Sequence, residues 1–150
     1  VETLLEKVIA YFEQTQVKFY PTENPQMLQT QFKGANGIWF CYLYLANNPP
    51  LLIFHSICPV LTPPPKLGSM AEYLTRINYN LLVGNFDLDF NNGQVRFKTV
   101  IDLENAHLPP SLVQNKLFPS LATMDAHLPA IMKLIYTDTT PLELSEKEIT

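Results

Sequence analysis

Two runs of this chain, residues 38–45 (IWFCYLYL) and 51–58 (LLIFHSIC), are apolar on both sides of a two-residue alternation. In the first run Ile38, Phe40, Tyr42 and Tyr44 fall on one side, and Trp39, Cys41, Leu43 and Leu45 on the other. The stretch Asn47-Asn48-Pro49-Pro50 between the runs breaks the pattern and returns the chain as a neighbouring strand. A half-exposed antiparallel strand alternates apolar with polar residues, and these do not. One face therefore packs under helices and the other needs a cover too: a loop, another helix or a second protein. The tyrosine-rich face is the better candidate for a partner, because tyrosine tolerates partial exposure and is favoured at interfaces. A two-sided core strand is the alternative. The even loop also puts Cys41 and Cys58 on one sheet face, opposite or diagonal to each other.

Composition sets the frame for those strands. In 150 residues, 47% are hydrophobic and 16% charged, enough for one globular domain, residues 1–150, with its own core. A net charge of −4 and ten scattered Lys and Arg residues give no basic face for nucleic acid. The longest apolar stretch, residues 38–45, is far too short to cross a bilayer, and no signal-peptide pattern is visible. Two cysteines do not make a disulfide framework. The expectation is a cytoplasmic protein with buried, reduced thiols.

The remaining elements follow from periodicity and punctuation. Leu4, Leu5, Val8, Ile9 and Phe12 mark a helix over 2–15, broken by Pro21 and Pro25. A short strand over 27–33 ends at the turn Lys33-Gly34-Ala35-Asn36-Gly37. Residues 59–65, with three consecutive prolines, read as an extended crossover. Ser69 as N-cap with Glu72 three residues on predicts a capping box. Met70, Tyr73, Leu74, Ile77 and Leu81 form that helix's stripe, and Gly84 takes the C′ position. Asn80 is placed to bond the carbonyls freed at that end. From Leu112 to Ile135 a helical spacing persists through Pro119 and Pro129, as short helices or one kinked helix. Residues 137–150 read as a turn and a frayed acidic tail. The fold class is α+β: an antiparallel sheet of about five strands, helices mainly on one face, order α-β-β-β-α-β-β-α.

The segment most like chemistry is NFDLDFNNGQVRFKTV, residues 85–100. A two-residue Asn92-Gly93 turn sets Asp89 against Arg96 and Asp87 against Lys98. Both acids then meet bases, so the reading is a solvated, register-setting ion-pair face rather than a metal site. Elsewhere His55, His107 and His127 lie far apart, and neither His-x-x-His, His-Glu-x-x-His nor Cys-x-x-Cys occurs. Gly-x-Ser-x-Gly, the Walker loop and Gly-x-Gly-x-x-Gly are missing as well. The sequence thus nominates no catalytic residue, cofactor or metal.

Residues 71–80 (AEYLTRINYN), then Gly84-Asn85-Phe86-Asp87-Leu88-Asp89 and Gly93-Gln94-Val95-Arg96-Phe97, resemble the YbjN-like proteins and the related cyanobacterial and plastid-lineage domain of unknown function. In that pattern a helix carrying an Asn leads through a Gly into an acidic strand, a turn and a basic strand. The resemblance covers most of the chain in element order. It implies a fold similar to type III secretion chaperones, a homodimer binding an extended segment of another protein, and a regulatory role without catalytic residues. The crossover over 59–65 and the prolines of the last helix depart from the generic pattern.

Two functional expectations follow. The first is a non-catalytic protein-binding or regulatory module, with Trp39, Tyr42, Tyr44 and Tyr73 as contact aromatics. The second is a small-molecule-binding or enzymatic domain with a pocket between the sheet and the last helix. Its reactive group would be His55 with Cys41 or Cys58. A dimer-forming subunit of a larger assembly is a third, purely structural reading.

Overall fold

The computed structural model describes residues 4–14, 17–103 and 110–149; Glu2, Glu104 and His107 lie outside them. Helix α1 (Leu4–Gln14) leads to strands β1 (Tyr20–Pro21), β2 (Met27–Lys33), β3 (Ile38–Asn47) and β4 (Pro50–Ile57). Helix α2 (Leu67–Asn78) crosses to β5 (Asn85–Leu88) and β6 (Val95–Asp102), followed by α3 (Pro110–Tyr136) and α4 (Pro141–Ile149). The strands form one antiparallel sheet in the order β1-β2-β3-β4-β6-β5. The α+β expectation holds, enlarged by the two-residue β1 at one edge and by α4.

Register assigns each face of the sheet. Leu28, Trp39, Cys41, Leu43, Leu45, Leu52, Phe54, Cys58, Phe86, Val95, Phe97 and Ile101 point inward. They join Val8 and Phe12 of α1, Met70, Tyr73, Leu74 and Ile77 of α2, the apolar stripe of α3 and Leu144 of α4 in one core. All four helices therefore pack on the same side. Burying such side chains stabilises the fold by about 1.5–3 kcal/mol each.

Several local readings change, each for a physical reason. Helix α2 begins at Leu67, after a 3-10 turn at Pro64–Lys66, so Ser69 lies inside the helix and caps nothing. Pro64 and Pro65 fill opening positions where a missing N–H costs little. Only Pro63 keeps the extended geometry, with φ −68° and ψ 152°. Glu72 instead pairs with Arg76, 2.9 Å away, one turn on. The helix stops at Asn78, so Gly84, at φ 76°, opens β5 rather than closing α2. A Cβ at Gly84 would lie 2.6 Å from the Phe97 ring. The terminal amide that matters is Asn78, not Asn80. Asn78 accepts from the Phe86 N–H (2.8 Å) and donates to the Phe86 carbonyl (3.0 Å), standing in for a strand partner.

The β5–β6 hairpin is also shifted by two residues. Leu88 faces Val95, Asp87 faces Arg96 and Phe86 faces Phe97. The loop runs from Asp89 to Gln94, closed by Gly93 N–H to the Asp89 carbonyl (2.7 Å) with Gly93 at φ 81°. Asp89 spends its carboxylate on the Asn91 N–H (2.8 Å), and Asn92 accepts from Gln94 (2.9 Å). These side-chain turns compete with further ladder pairs. Phe90 is left 61% exposed at the tip.

Helix α3 is continuous through both prolines. Pro129 has no N–H to give the carbonyl of Asp125. That carbonyl accepts instead from the Asn36 side chain (3.0 Å), while the Asp125 carboxylate accepts the N–H groups of Ala35 (3.1 Å) and Asn36 (2.8 Å). The helix defect is thus the dock for the β2–β3 turn. Helix α4 replaces the expected frayed tail. Thr140 Oγ1 accepts from the Glu143 N–H (3.2 Å), Pro141 follows it, and Leu144 is buried, α4 lying against α2.

Candidate functional site: the open face of the sheet

The outward-pointing residues form one surface. Across β2, β3, β4 and β6 it presents Met27, Tyr44, Ile53 and Val100 in one row. The next rows are Gln29, Tyr42, His55 and Lys98, then Gln31, Phe40, Ile57 and Arg96. Ile38, Phe40 and Val100 are 47%, 48% and 40% exposed, and Tyr42, Tyr44, Ile53 and Ile57 are half-buried. The expectation that this second face is covered fails within the chain: among the described residues no helix packs on it. Neighbouring large apolar residues on such a surface mark an interaction site more than scattered ones do.

The four aromatics nominated from sequence separate into two pairs. Tyr42 and Tyr44 lie side by side on this face. Trp39 (2% exposed) turns inward against Phe32, ring centres 5.2 Å apart. Tyr73 (0%) sits in the core on α2. Alternation along β3 gave two sides, but only the position of the helices tells which is inner. Phe40 was legible as a member of the tyrosine-rich side, whereas Ile57 and Val100, also part of the patch, were legible only as strand residues.

A charged cluster borders the patch. Asp87 binds both Arg96 Nε (3.0 Å) and Lys98 Nζ (3.6 Å), so one carboxylate faces two cations. The Asp89–Arg96 pair expected from the tighter turn does not form, because Asp89 holds the loop. His55 stands between Tyr42 and Lys98, its Nε2 sealed from solvent and without a partner. Burial, then the charges of Arg96 and Lys98, pull its pKa down to about 4, against a smaller upward pull from Asp87.

The proposed reactive group does not assemble. His55 points to the open face, while Cys41 and Cys58 point into the core. Cys41 does lie diagonal to Cys58, through its neighbour Ser56 (Sγ to Oγ 3.6 Å). Burial pushes both thiols up to about 11, which keeps them protonated and unreactive at neutral pH. His127, on α3, places Nδ1 2.7 Å from the Thr123 carbonyl, which fixes its proton there, and its ring lies edge-on to Phe86. Between sheet and α3 there is a cavity of about 50 Å³ lined chiefly by Phe12, Phe19, Phe32, Phe54, Leu117 and Leu121. A metabolite site is several-fold larger and carries convergent polar groups. A wider depression, about 590 Å³, lies between α1 and residues 17–20, with Glu13 and Lys18 at its rim. Among the described residues no three His, Cys, Asp or Glu side chains converge as metal ligands, and no helix is long and apolar enough to cross a membrane.

No protein-family model matches the sequence, and no curated protein matches it. The structure is similar to the crystal structure of YbjN, a candidate transcription regulator from E. coli, with a TM-score of 0.66 over 88% of this chain and 94% of that one. Sequence identity is 15%, so the likeness carries the fold and not the chemistry. Of what the sequence resemblance implied, the YbjN-like α+β fold stands.

Proposed function

We propose that this chain is a non-catalytic protein-interaction module with a regulatory role, working in the cytoplasm, whose contact surface is the open sheet face centred on Tyr42 and Tyr44. One observation carries the reading. A sheet whose helices all lie on one side leaves Phe40, Tyr42, Tyr44, Ile53 and Val100 together on the other. Aromatic and branched side chains at the middle, with charges at the edge, match the anatomy of a protein interface. The regulator description of YbjN is compatible with this role. Trp39 and Tyr73, both buried in the core, lie outside this surface.

The test is capture from native lysate with the tagged protein and with Tyr42→Ser/Tyr44→Ser. Loss of a specific partner, with an unchanged circular dichroism spectrum, is the expected result. A partner retained by the variant would move the contact surface elsewhere. Unfolding of the variant would show the pair to be structural.

A further inference from the structure

We propose that the open face holds one amphipathic α-helix of another protein, about five turns long and acidic along its flanks. The inference rests on the interaction reading above and names the partner's chemistry.

The shape of the apolar surface selects a helix. Strand β3 turns Ile38, Phe40, Tyr42, Tyr44 and Ala46 outward, and its neighbour β4 turns Leu51, Ile53, His55 and Ile57. The strands on either side do not continue this surface. Strand β2 brings Gln29, Gln31 and Lys33 beside β3, and β6 brings Lys98 and Arg96 beside β4. Only in the row of Met27 and Val100 do apolar residues reach across four strands. The result is a stripe two strands wide, about 10 Å, with polar borders. From Ile38 to Ala46 it runs about 27 Å. An α-helix is about 10–12 Å across, and about 18 of its residues cover that length. A single extended strand is half as wide and would leave one side of the stripe wet. A second sheet would lay its outer strands on the glutamine, lysine and arginine borders, where packed sheets bury apolar side chains. His55 is the one polar side chain among the nine, and it is uncharged at neutral pH.

Charge placement selects acids. The strand residues of this face carry three cations, Lys33, Arg96 and Lys98, against Asp87 and Asp102, in a chain whose net charge is −4. All three cations border the half of the stripe from Ile38 to Tyr42. Asp87 divides one carboxylate between Arg96 and Lys98, which leaves that border a positive excess. Asp102 lies past the other end, in the row of Leu51 and Ala46. A helix with Glu or Asp on its flanks over the first half meets cations and side-chain amides on both sides, and one with Lys or Arg there is repelled. An apolar helical stripe laid in a groove, with charge choosing the partner, is a recurring mode of recognition.

A random library of peptides about 18 residues long, displayed on phage and selected on the immobilised full chain, tests this, with Phe40→Lys for counter-selection. The expected peptides carry apolar residues at i, i+3, i+4 and i+7 with Asp or Glu beside them, and they gain helical circular dichroism on binding. They should bind Phe40→Lys at least about tenfold more weakly, with the protein's own spectrum unchanged. Gln31→Lys should tighten them about threefold, and Lys33→Glu should weaken them as much. Peptides with a two-residue alternation, peptides with basic flanks, peptides that ignore Phe40→Lys, or Gln31→Lys without effect would each overturn the proposal. So would a full chain that sediments at twice 17.1 kDa and returns to 17.1 kDa with Phe40→Lys, since a second copy would then hold the stripe. A lysate partner lost with Tyr42→Ser/Tyr44→Ser, beside selected peptides of the wrong pattern or none, sinks the helix while leaving the interaction reading standing. If neither selection nor capture responds to the face, both fail.

Discussion

At the scale of single residues, His55 shows how position sets chemistry. Its strand neighbours are Tyr42 on β3 and Lys98 on β6, with Arg96 and Asp87 beyond. Burial and the two cations lower its pKa from 6.5 to about 4. A base with a lowered folded pKa binds fewer protons folded than unfolded. Its contribution to stability is therefore complete above pH 6.5 and is lost as pH falls towards 4. The ring is half-buried, so screening reduces the ceiling set by the shift to about 1–2 kcal/mol. Urea unfolding at about pH 7.5 and about pH 4.5 measures it. The wild type should lose that increment between the two, and His55→Gln should lose less by the same amount. Equal losses would mean that His55 is not the titrating group. From sequence, His55 read as a partner for the cysteines. The period of two already put His55 and Cys58, three residues apart in one run, on opposite faces, and the helices settle only which of the two is inner.

Elements were legible where periodicity spoke and opaque where side chains rewrote the backbone. Strands β2, β3 and β4, both thiols on one face, and the α2 stripe from Met70 to Ile77 followed from spacing, while Leu81 lies beyond the helix end. The hairpin register did not, because Asp89 and Asn92 fold back on the turn and lengthen it. Helix α4 was missed although Thr140-Pro141-Leu142-Glu143 carries a start signal, since its acidic composition suggested a solvated tail. Asp125 had no signature at all: its carboxylate meets a turn ninety residues away in sequence, and its carbonyl is free for Asn36 because Pro129, one turn later, has no N–H. That coupling is measurable. Asn36→Ala should cost about 1 kcal/mol in the wild type, the net value of one hydrogen bond. In a Pro129→Ala background the new N–H satisfies Asp125 itself, and the same substitution should cost close to nothing. A double-mutant cycle from urea midpoints gives the difference. Additive effects would show that Asn36 does not depend on the proline.

For the whole molecule, the sheet is divided into a helix-covered face and an open one, and each functional reading rests on a different face. The covered face holds Cys41 and Cys58, both buried and uncharged at neutral pH. Alkylation of the native protein should therefore proceed only as fast as it opens, orders of magnitude below the rate in urea. One fast-reacting thiol in the native state would revive the enzymatic reading. The strand order has a consequence for synthesis. Strand β4 lies between β3, its predecessor, and β6, which the ribosome delivers about forty residues later. Until then PLLIFHSI is an unpaired edge without an acid, lysine or arginine to guard it. A nascent chain stalled near residue 60 would carry an adhesive border on its outermost strand, so the hazardous moment for this protein falls midway through translation, and the arrival of β6 ends it.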